Sequence, residues 1–179
     1  MAEKVDPKYL KIRELDDNDS FENLDFTDEE DGKDPLSVNE FFHSKKATEF
    51  NKQKLSSVWS VLYQDELVGC FTLSMFAINT GKLEQGEIVK KAGDVVSYPA
   101  VLLGQLGVDK QFRHRKIGYW IGQHSTGLAR QISKKIACRY IVLQTDQARV
   151  GLYEALHFHR SPKKPTEEGR IWMYRRLEK

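Results

Sequence analysis

Apolar and charged residues alternate over residues 8–15 (KYLKIREL), the two-residue period of a half-buried strand. After a polar stretch, Asp34-Pro35-Leu36-Ser37 offers a helix start in which Ser37 caps and Glu40 follows three residues on. Val38, Phe41, Phe42 and Ala47 then fall near one face. Residues 58–63 and 67–75 are rich in β-branched and aromatic side chains, and the short polar link Gln64-Asp65-Glu66 between them predicts a hairpin. Residues 79–94 are rich in Gly, Lys and Glu and have no period, so a mobile excursion is expected.

The second half is more regular. Residues 100–108 (AVLLGQLGV) form a nearly continuous apolar run, as in a strand covered on both faces. Over residues 116–137, Ile117, Ile121, Ser125, Leu128, Ile132 and Ile136 recur at helical spacing. Residues 139–143 read as another strand, Thr145-Asp146 as the cap of a helix over 147–156, and residues 171–177 (IWMYRRL) as a closing strand after a Pro- and Lys-bearing loop. Strands alternating with helices give an α/β (α+β) class, with one parallel crossover through the long helix.

In 179 residues, 40% apolar and 11% aromatic side chains supply the core of a single domain. No run approaches the roughly 18 apolar residues that span a bilayer, so no membrane partner is expected. The first residues, MAEKVDPKYLKIRELDD, contain no apolar stretch of signal type, and a cytoplasmic location is expected. Cys70 and Cys138 sit in apolar segments and read as free buried thiols, and their spacing offers no metal site. His114 and His124 likewise read as loop and helix residues rather than ligands, and Trp59, Trp120 and Trp172 as core or interface aromatics.

The net charge of +2 hides an asymmetry: residues 1–35 carry 13 acids and 5 bases, the remainder 13 acids and 23 bases. The acidic stretch, about 14–34, includes Asp28-Glu29-Glu30-Asp31 and reads as a solvated loop or as a screen over a basic groove. The basic remainder suits a polyanion, either a phosphorylated cofactor or RNA.

The chemistry concentrates at residues 108–119, VDKQFRHRKIGY, where a buried strand enters a short basic loop and then the long helix. Such a turn presents backbone N–H groups at the positive end of a helix dipole, with Arg113, His114, Arg115 and Lys116 adding charge. An ordinary basic helix entrance has the same composition. The GxxxxGK[ST] and GxGxxG loops are missing, so nucleotide hydrolysis and hydride transfer have no support.

This segment resembles motif A of the GNAT family of N-acetyltransferases, Arg/Gln-x-x-Gly-x-Gly/Ala: Arg113 and Gly118 match, Ile117 fits the variable position, and Lys116 stands where the first glycine belongs. Downstream, Asp146-x-x-Arg149-x-x-Leu152-Tyr153-x-x-x-His157-Phe158 resembles motif B, Asn-x-x-Ala-x-x-Leu/Phe-Tyr-x-x-x-Gly-Phe. Asp146, Arg149 and His157 depart from Asn, Ala and Gly, and His157 puts the turn after the helix in question. Within the family the likeness is to toxin-type acetyltransferases that act on the amino group of charged tRNA. It rests on Phe41-Phe42 with Ala47, residues 67–74 and 99–108, Leu152-Tyr153 and Ser161-Pro162.

The resemblance implies a GNAT fold: a mixed, mostly antiparallel sheet, splayed between two parallel strands and flanked by helices. It implies acetyl-CoA as acetyl donor, with Leu106 and Val108 bonding the pantetheine arm and Arg113, His114, Arg115, Lys116, Ile117 and Gly118 holding the pyrophosphate. Tyr153 is implied as the general acid toward the leaving thiolate. Gln105 stands where many relatives carry a carboxylate and, like Arg149, is a substrate-side candidate. The lack of a base there suits an α-amine esterified to tRNA better than a lysine amine with its pKa of about 10.4. Partners implied are an amine acceptor, charged tRNA, an antitoxin protein and a second copy in a homodimer. A small-molecule or protein amine is the alternative acceptor, and a non-catalytic nucleic-acid- or protein-binding module the alternative class. Basic residues available to an RNA backbone are Lys134, Lys135, Arg139, Arg149, Arg160, Lys163, Lys164, Arg170, Arg175 and Arg176.

Overall fold

The computed structural model describes residues 4–90, 93 and 95–177. Its elements are β1 (Leu10–Glu14), α1 (Val38–His43), α2 (Lys46–Lys52), β2 (Ser57–Tyr63), β3 (Glu66–Asn79), β4 (Ser97–Val108), α3 (Ile117–Ser133), β5 (Tyr140–Thr145), α4 (Val150–Ala155), β6 (His159–Arg160) and β7 (Ile171–Arg176). The strands lie in the order β1-β2-β3-β4-β5-β7-β6, antiparallel in the β1–β2–β3 and β5–β7–β6 pairs and parallel between β4 and β5. Two compact units divide the chain, Met1–Ser74 with Gly104–Gly122 and Met75–Leu103 with Gln123–Lys179.

In the first unit the expected hairpin forms between β2 and β3. Gln64 and Asp65 both take the left-handed conformation (φ 52° and 67°), the requirement of a two-residue turn whose twist matches its strands. At Gly69 an added Cβ would meet the Gly107 carbonyl oxygen at 2.6 Å, and at Gly107 the Phe26 ring at 2.6 Å, so neither position admits a side chain. Phe21, Leu24 and Phe26 are buried with Val38, Phe42, Ala47, Val58 and Cys70. The acidic stretch is therefore not simply a solvated loop. Its aromatic residues anchor it to the core, Phe21 and Phe26 lying 5.1 and 5.7 Å from Phe42.

The helix start differs from expectation. Ser37 is left-handed (φ 54°) and makes no side-chain cap. Asp34 caps instead, its two carboxylate oxygens accepting the N–H groups of Val38 (2.8 Å) and Glu40 (3.0 Å), so one side chain satisfies two orphan donors. Glu40 turns to Lys46 rather than back to the cap, and the helix breaks at Ser44 so that Ala47 sits on α2.

In the second unit, Ile78, Leu83, Tyr98, Ala100, Tyr140, Val142 and Tyr174 form the core on one face of β5 and β7. The segment after β3 is anchored rather than a mobile excursion. Two short 3-10 turns, Thr80–Lys82 and Gln85–Glu87, follow the strand. The Tyr174 and Tyr98 hydroxyls accept the N–H groups of Glu84 and Val89, and the Tyr140 hydroxyl donates to Glu87 at 2.7 Å. Three tyrosines thus supply polar partners that hydropathy alone does not reveal; Lys91, Ala92 and Asp94 lie outside the described residues.

Helix α3 ends at Ser133, short of its expected end, and Ile136 is 65% exposed; Ala129 is buried instead. Both cysteines are free and buried. Strand β4 is fully covered only in part, since Gly104 is exposed and Gln105, Leu106 and Val108 are half-buried. Two-residue β6, unforeseen in the sequence, pairs with β7 at Met173 and Tyr174.

Candidate functional site

The loop between β4 and α3 is fixed from below by Asp109. This residue is buried, and its carboxylate accepts the N–H groups of Gln111 (2.9 Å) and Asp25 (2.8 Å), setting the 3-10 turn Lys110–Phe112. Arg113 donates from Nε to the Val108 carbonyl at 3.3 Å and is largely covered. The Arg115 guanidinium lies 5.2 Å from the Phe112 ring centroid, and its carbonyl accepts the Val5 N–H. The first helical bond runs from Trp120 N–H to the Lys116 carbonyl at 3.2 Å. Among the described residues, the N–H groups from His114 to Gly118 have no hydrogen-bond partner. They lie at the positive end of the 17-residue helix α3, a ready anion cradle.

Two residues of this loop are left-handed, His114 (φ 61°) and Lys116 (φ 68°). The left-handed backbone of Lys116 costs about 1–2 kcal/mol for a residue with a Cβ.

The acidic stretch reaches this loop. The Glu29 carboxylate stands 3.2 Å from His114 Nε2 and 3.9 Å from Arg113 Nη1. Lys110 Nζ lies 3.2 Å from Asp25 and 2.8 Å from the Thr27 hydroxyl. The hydroxyl and amide of Thr27, with Lys110, hold the Asp25 carboxyl down at about 2.

On β4, Gln105 donates its N–H to the Thr72 hydroxyl at 2.9 Å. The ladder with β5 runs from Ala100–Tyr140 to Leu103–Leu143, so Gln105, Leu106 and Val108 lie past its last pair.

In the second unit, the Asp146 carboxylate accepts the Arg149 N–H at 3.0 Å and pairs with its guanidinium. Asp146 thereby starts a turn, and α4 begins only at Val150. Tyr153 is 6% exposed. Burial pushes its hydroxyl up to about 12, Asp146 adding to the shift and Arg149 opposing it. The turn after α4 is closed by two bonds, Phe158 N–H to the Tyr153 carbonyl and His157 N–H to the Glu154 carbonyl, both 2.9 Å. His157 is left-handed (φ 61°), and the Tyr153 and Phe158 rings meet edge-to-face at 5.9 Å. That is the Schellman cap with its apolar contact, and His157 fills the glycine position without altering it.

Half of the ten basic candidates for RNA are already engaged. Arg149, Arg160 and Arg170 pair with Asp146, Glu154 and Glu168; Arg175 donates to the Leu156 carbonyl and Arg139 to the Tyr140 hydroxyl. Among the described residues, Lys134, Lys135, Lys163, Lys164 and Arg176 carry no ion pair. Sequence reasoning missed Lys82, whose ammonium lies 3.8 Å from the centroid of the Trp172 ring. Only its proximity to an aromatic residue ninety positions away marks it, and no local pattern carries that signal. Among the described residues there is no group of three or more His, Cys, Asp or Glu that could hold a metal, and no helix is long and apolar enough to cross a membrane.

Solved structures share this fold. A tyrosine-to-phenylalanine mutant of KacT matches with a TM-score of 0.75 at 17% identity, covering 94% of this chain and 95% of that one. A tyrosine-to-phenylalanine mutant of the toxin AtaT, bound to the C-terminus of the antitoxin AtaR and acetyl-CoA, matches at 0.68 and 15%, covering 94% of each chain. AtaT complexed with acetyl-methionyl-tRNAfMet matches at 0.73 and 15%, covering 91% and 93%. No family model and no curated protein matches the sequence. The chain has the GNAT fold that its two motifs lead one to expect: a mixed seven-stranded sheet flanked by helices.

Proposed function

We propose that the chain, acting as one catalytic domain, is an N-acetyltransferase that moves an acetyl group from acetyl-CoA to the amino group of aminoacyl-tRNA. The observation that carries this reading is the fold likeness to AtaT in complex with acetyl-methionyl-tRNAfMet, over 91% of this chain. Two local features support it: the unpaired N–H groups from His114 to Gly118, and the buried, protonated hydroxyl of Tyr153.

In this reading the amides of His114, Arg115, Lys116, Ile117 and Gly118 hold the pyrophosphate of acetyl-CoA, with Arg113 adding charge. The backbone groups of Leu106 and Val108 bond its pantetheine arm, and Gln105 and Arg149 face the acceptor. The amine nitrogen attacks the thioester carbonyl; a C–N bond forms and the C–S bond breaks. Tyr153 donates its proton to the departing thiolate, and water carries away the amine proton. A phenol held at about 12 is protonated near neutral pH, which suits a donor rather than a base. An antitoxin covering the acceptor side belongs to the same reading, by analogy with the AtaT–AtaR complex.

The test is incubation with radiolabelled acetyl-CoA and either charged or deacylated bulk tRNA. Label on the charged pool alone is the expected result. Label only on polyamines or peptides would reassign the acceptor, and no binding of acetyl-CoA at millimolar concentration would retire the enzyme reading.

A further inference from the structure

We propose that Lys82, seated on Trp172, acts with Lys163 and Lys164 to grip backbone phosphates of the RNA acceptor at the carboxyl end of β5. The inference rests on the acetyl-transfer reading above and adds to it the residues that hold the acceptor.

Register locates these groups. Gln144 pairs with Trp172 and Thr145 with Ile171, so the indole lies level with the last residues of β5. The next residue, Asp146, opens the turn into α4, which carries Tyr153. By contrast, Lys134 and Lys135 follow the end of α3, and Arg176 pairs with Tyr140, the first residue of β5. Those three belong to the opposite end of a six-residue strand, on the order of 17 Å away along its axis. Of the five unpaired bases foreseen in the sequence, only Lys163 and Lys164 belong to the Tyr153 end.

The local construction favours an anion. Trp172 stacks on Phe76 (5.4 Å, interplanar 25°) and carries the Lys82 ammonium 3.8 Å from its ring centroid. The Ser161 N–H bonds the Trp172 carbonyl at 2.8 Å, and the Ser161 hydroxyl accepts the Lys163 N–H at 3.2 Å. This pins the chain leading to Lys163 and Lys164. The Lys163 side chain in turn packs against Gly81, where an added Cβ would meet its Cε at 3.6 Å and its Nζ at 4.0 Å. Lys82 is the next residue along. The Lys163 side chain thus lies beside the residue that precedes Lys82, and neither lysine is paired with a carboxylate among the described residues. Burial alone lowers the Lys82 pKa. An ammonium partly stripped of water and short of a counter-charge gains from a phosphate oxygen, and Coulomb attraction at such a half-buried position outlasts that of a fully exposed lysine.

The test is tRNA binding across a salt series, alongside calorimetry with acetyl-CoA. Lys82→Met retains a stem over the indole but removes the charge; Lys163→Gln/Lys164→Gln removes the neighbouring pair; Lys134→Gln/Lys135→Gln is the control. Each charge removed from a phosphate contact lowers the slope of log affinity against log salt by about one. Lys82→Met is expected to lose one such contact and the double variant two, each with a several-fold rise in KM for charged tRNA and unchanged acetyl-CoA affinity. Lys82→Arg restores the slope, which a purely structural role for the stacked stem would not require. The Lys134/Lys135 control leaves the slope unchanged. An unaltered slope in Lys82→Met, with wild-type protein binding and acetylating charged tRNA, overturns this inference and leaves the proposed function standing. Acetyl transfer to peptides with no tRNA binding overturns both, as does high-affinity capture of an acidic peptide by these lysines in place of RNA.

Discussion

Two turns in this chain hold a bulky residue in the left-handed conformation that glycine adopts freely. Lys116 (φ 68°) stands at the entry to α3 and His157 (φ 61°) at the exit from α4. They differ in what surrounds them. At His157 the donors and acceptors are consumed internally: two backbone bonds and the Tyr153–Phe158 contact close the cap. At Lys116 the loop is equally well defined, held by Asp109 beneath, yet among the described residues five successive N–H groups have no partner. A closed turn needs no further partner, whereas an open one leaves donors for water or a ligand. The two positions share a left-handed backbone and differ in how far the surrounding backbone is satisfied.

The closed turn positions Tyr153, and the largest expected effect comes from removing that hydroxyl. Tyr153→Phe keeps the ring, its contact with Phe158 and the cap, so the fold and acetyl-CoA affinity should hold. Turnover should fall by about 10²–10³-fold if general-acid help is lost. Steady-state kinetics with calorimetry in parallel decide it; near-normal kcat would make Tyr153 structural. The same variant has a signature in alkali. The folded protein retains the Tyr153 proton to about pH 12, whereas an unfolded chain releases it near 10. Folded protein binds more protons in that window, so stability is intact below pH 10 and declines as pH rises toward 12. Tyr153→Phe should remove part of that decline in a urea series; Tyr140, also pushed up to about 12 by burial and by its bond to Glu87, keeps the rest.

Most of the fold was legible because strand and helix periods are local. The hairpin, the apolar run of β4 and the α3 face through Ser125 all follow from spacing. What escaped depended on partners distant in sequence. The segment after β3 looked mobile because its anchors are the hydroxyls of Tyr98, Tyr140 and Tyr174. Ser37 looked like the cap because its residue type fits, but Asp34 reaches both orphan donors once the chain turns at Ser37. Phe21, Leu24 and Phe26 were submerged in acidic sequence and became core through contact with α1. The candidate site was read as motif positions, and residue type hid the left-handed backbone of Lys116 and His157.

A smaller effect tests the strain at those two turns. His157→Gly relieves about 1–2 kcal/mol of left-handed strain, offset in part by the larger backbone entropy of unfolded glycine. A net gain of up to about 1 kcal/mol is expected, a rise of roughly 2–4 °C in Tm for a chain of this size. Lys116→Gly should give a similar gain in Tm. The two differ in acetyl-CoA binding: His157→Gly leaves affinity unchanged, whereas Lys116→Gly removes a cation from the rim of the open loop. Equal responses of affinity at both positions would erase the distinction between closed and open turns.

The smallest expected effect concerns what screens the open turn. Glu29 lies 44% exposed beside His114 and Arg113, within the acidic stretch that the core holds in place through Phe26. A carboxylate there competes with phosphate for the same cations, although exposed pairs contribute only about 0.2–1 kcal/mol. Glu29→Gln keeps the shape and removes the charge, so acetyl-CoA should bind about 2–5-fold more tightly at low ionic strength. The advantage should shrink toward nothing as salt is raised, because both the pair and the repulsion it represents are screened within about 10 Å at 0.1 M. Calorimetry of both proteins at two salt concentrations measures it. Unchanged affinity at low salt would mean that Glu29 only decorates the loop and that the pyrophosphate never meets its charge. Tighter binding that persists at high salt would point instead to a rearranged loop, and the screen would lose its electrostatic explanation.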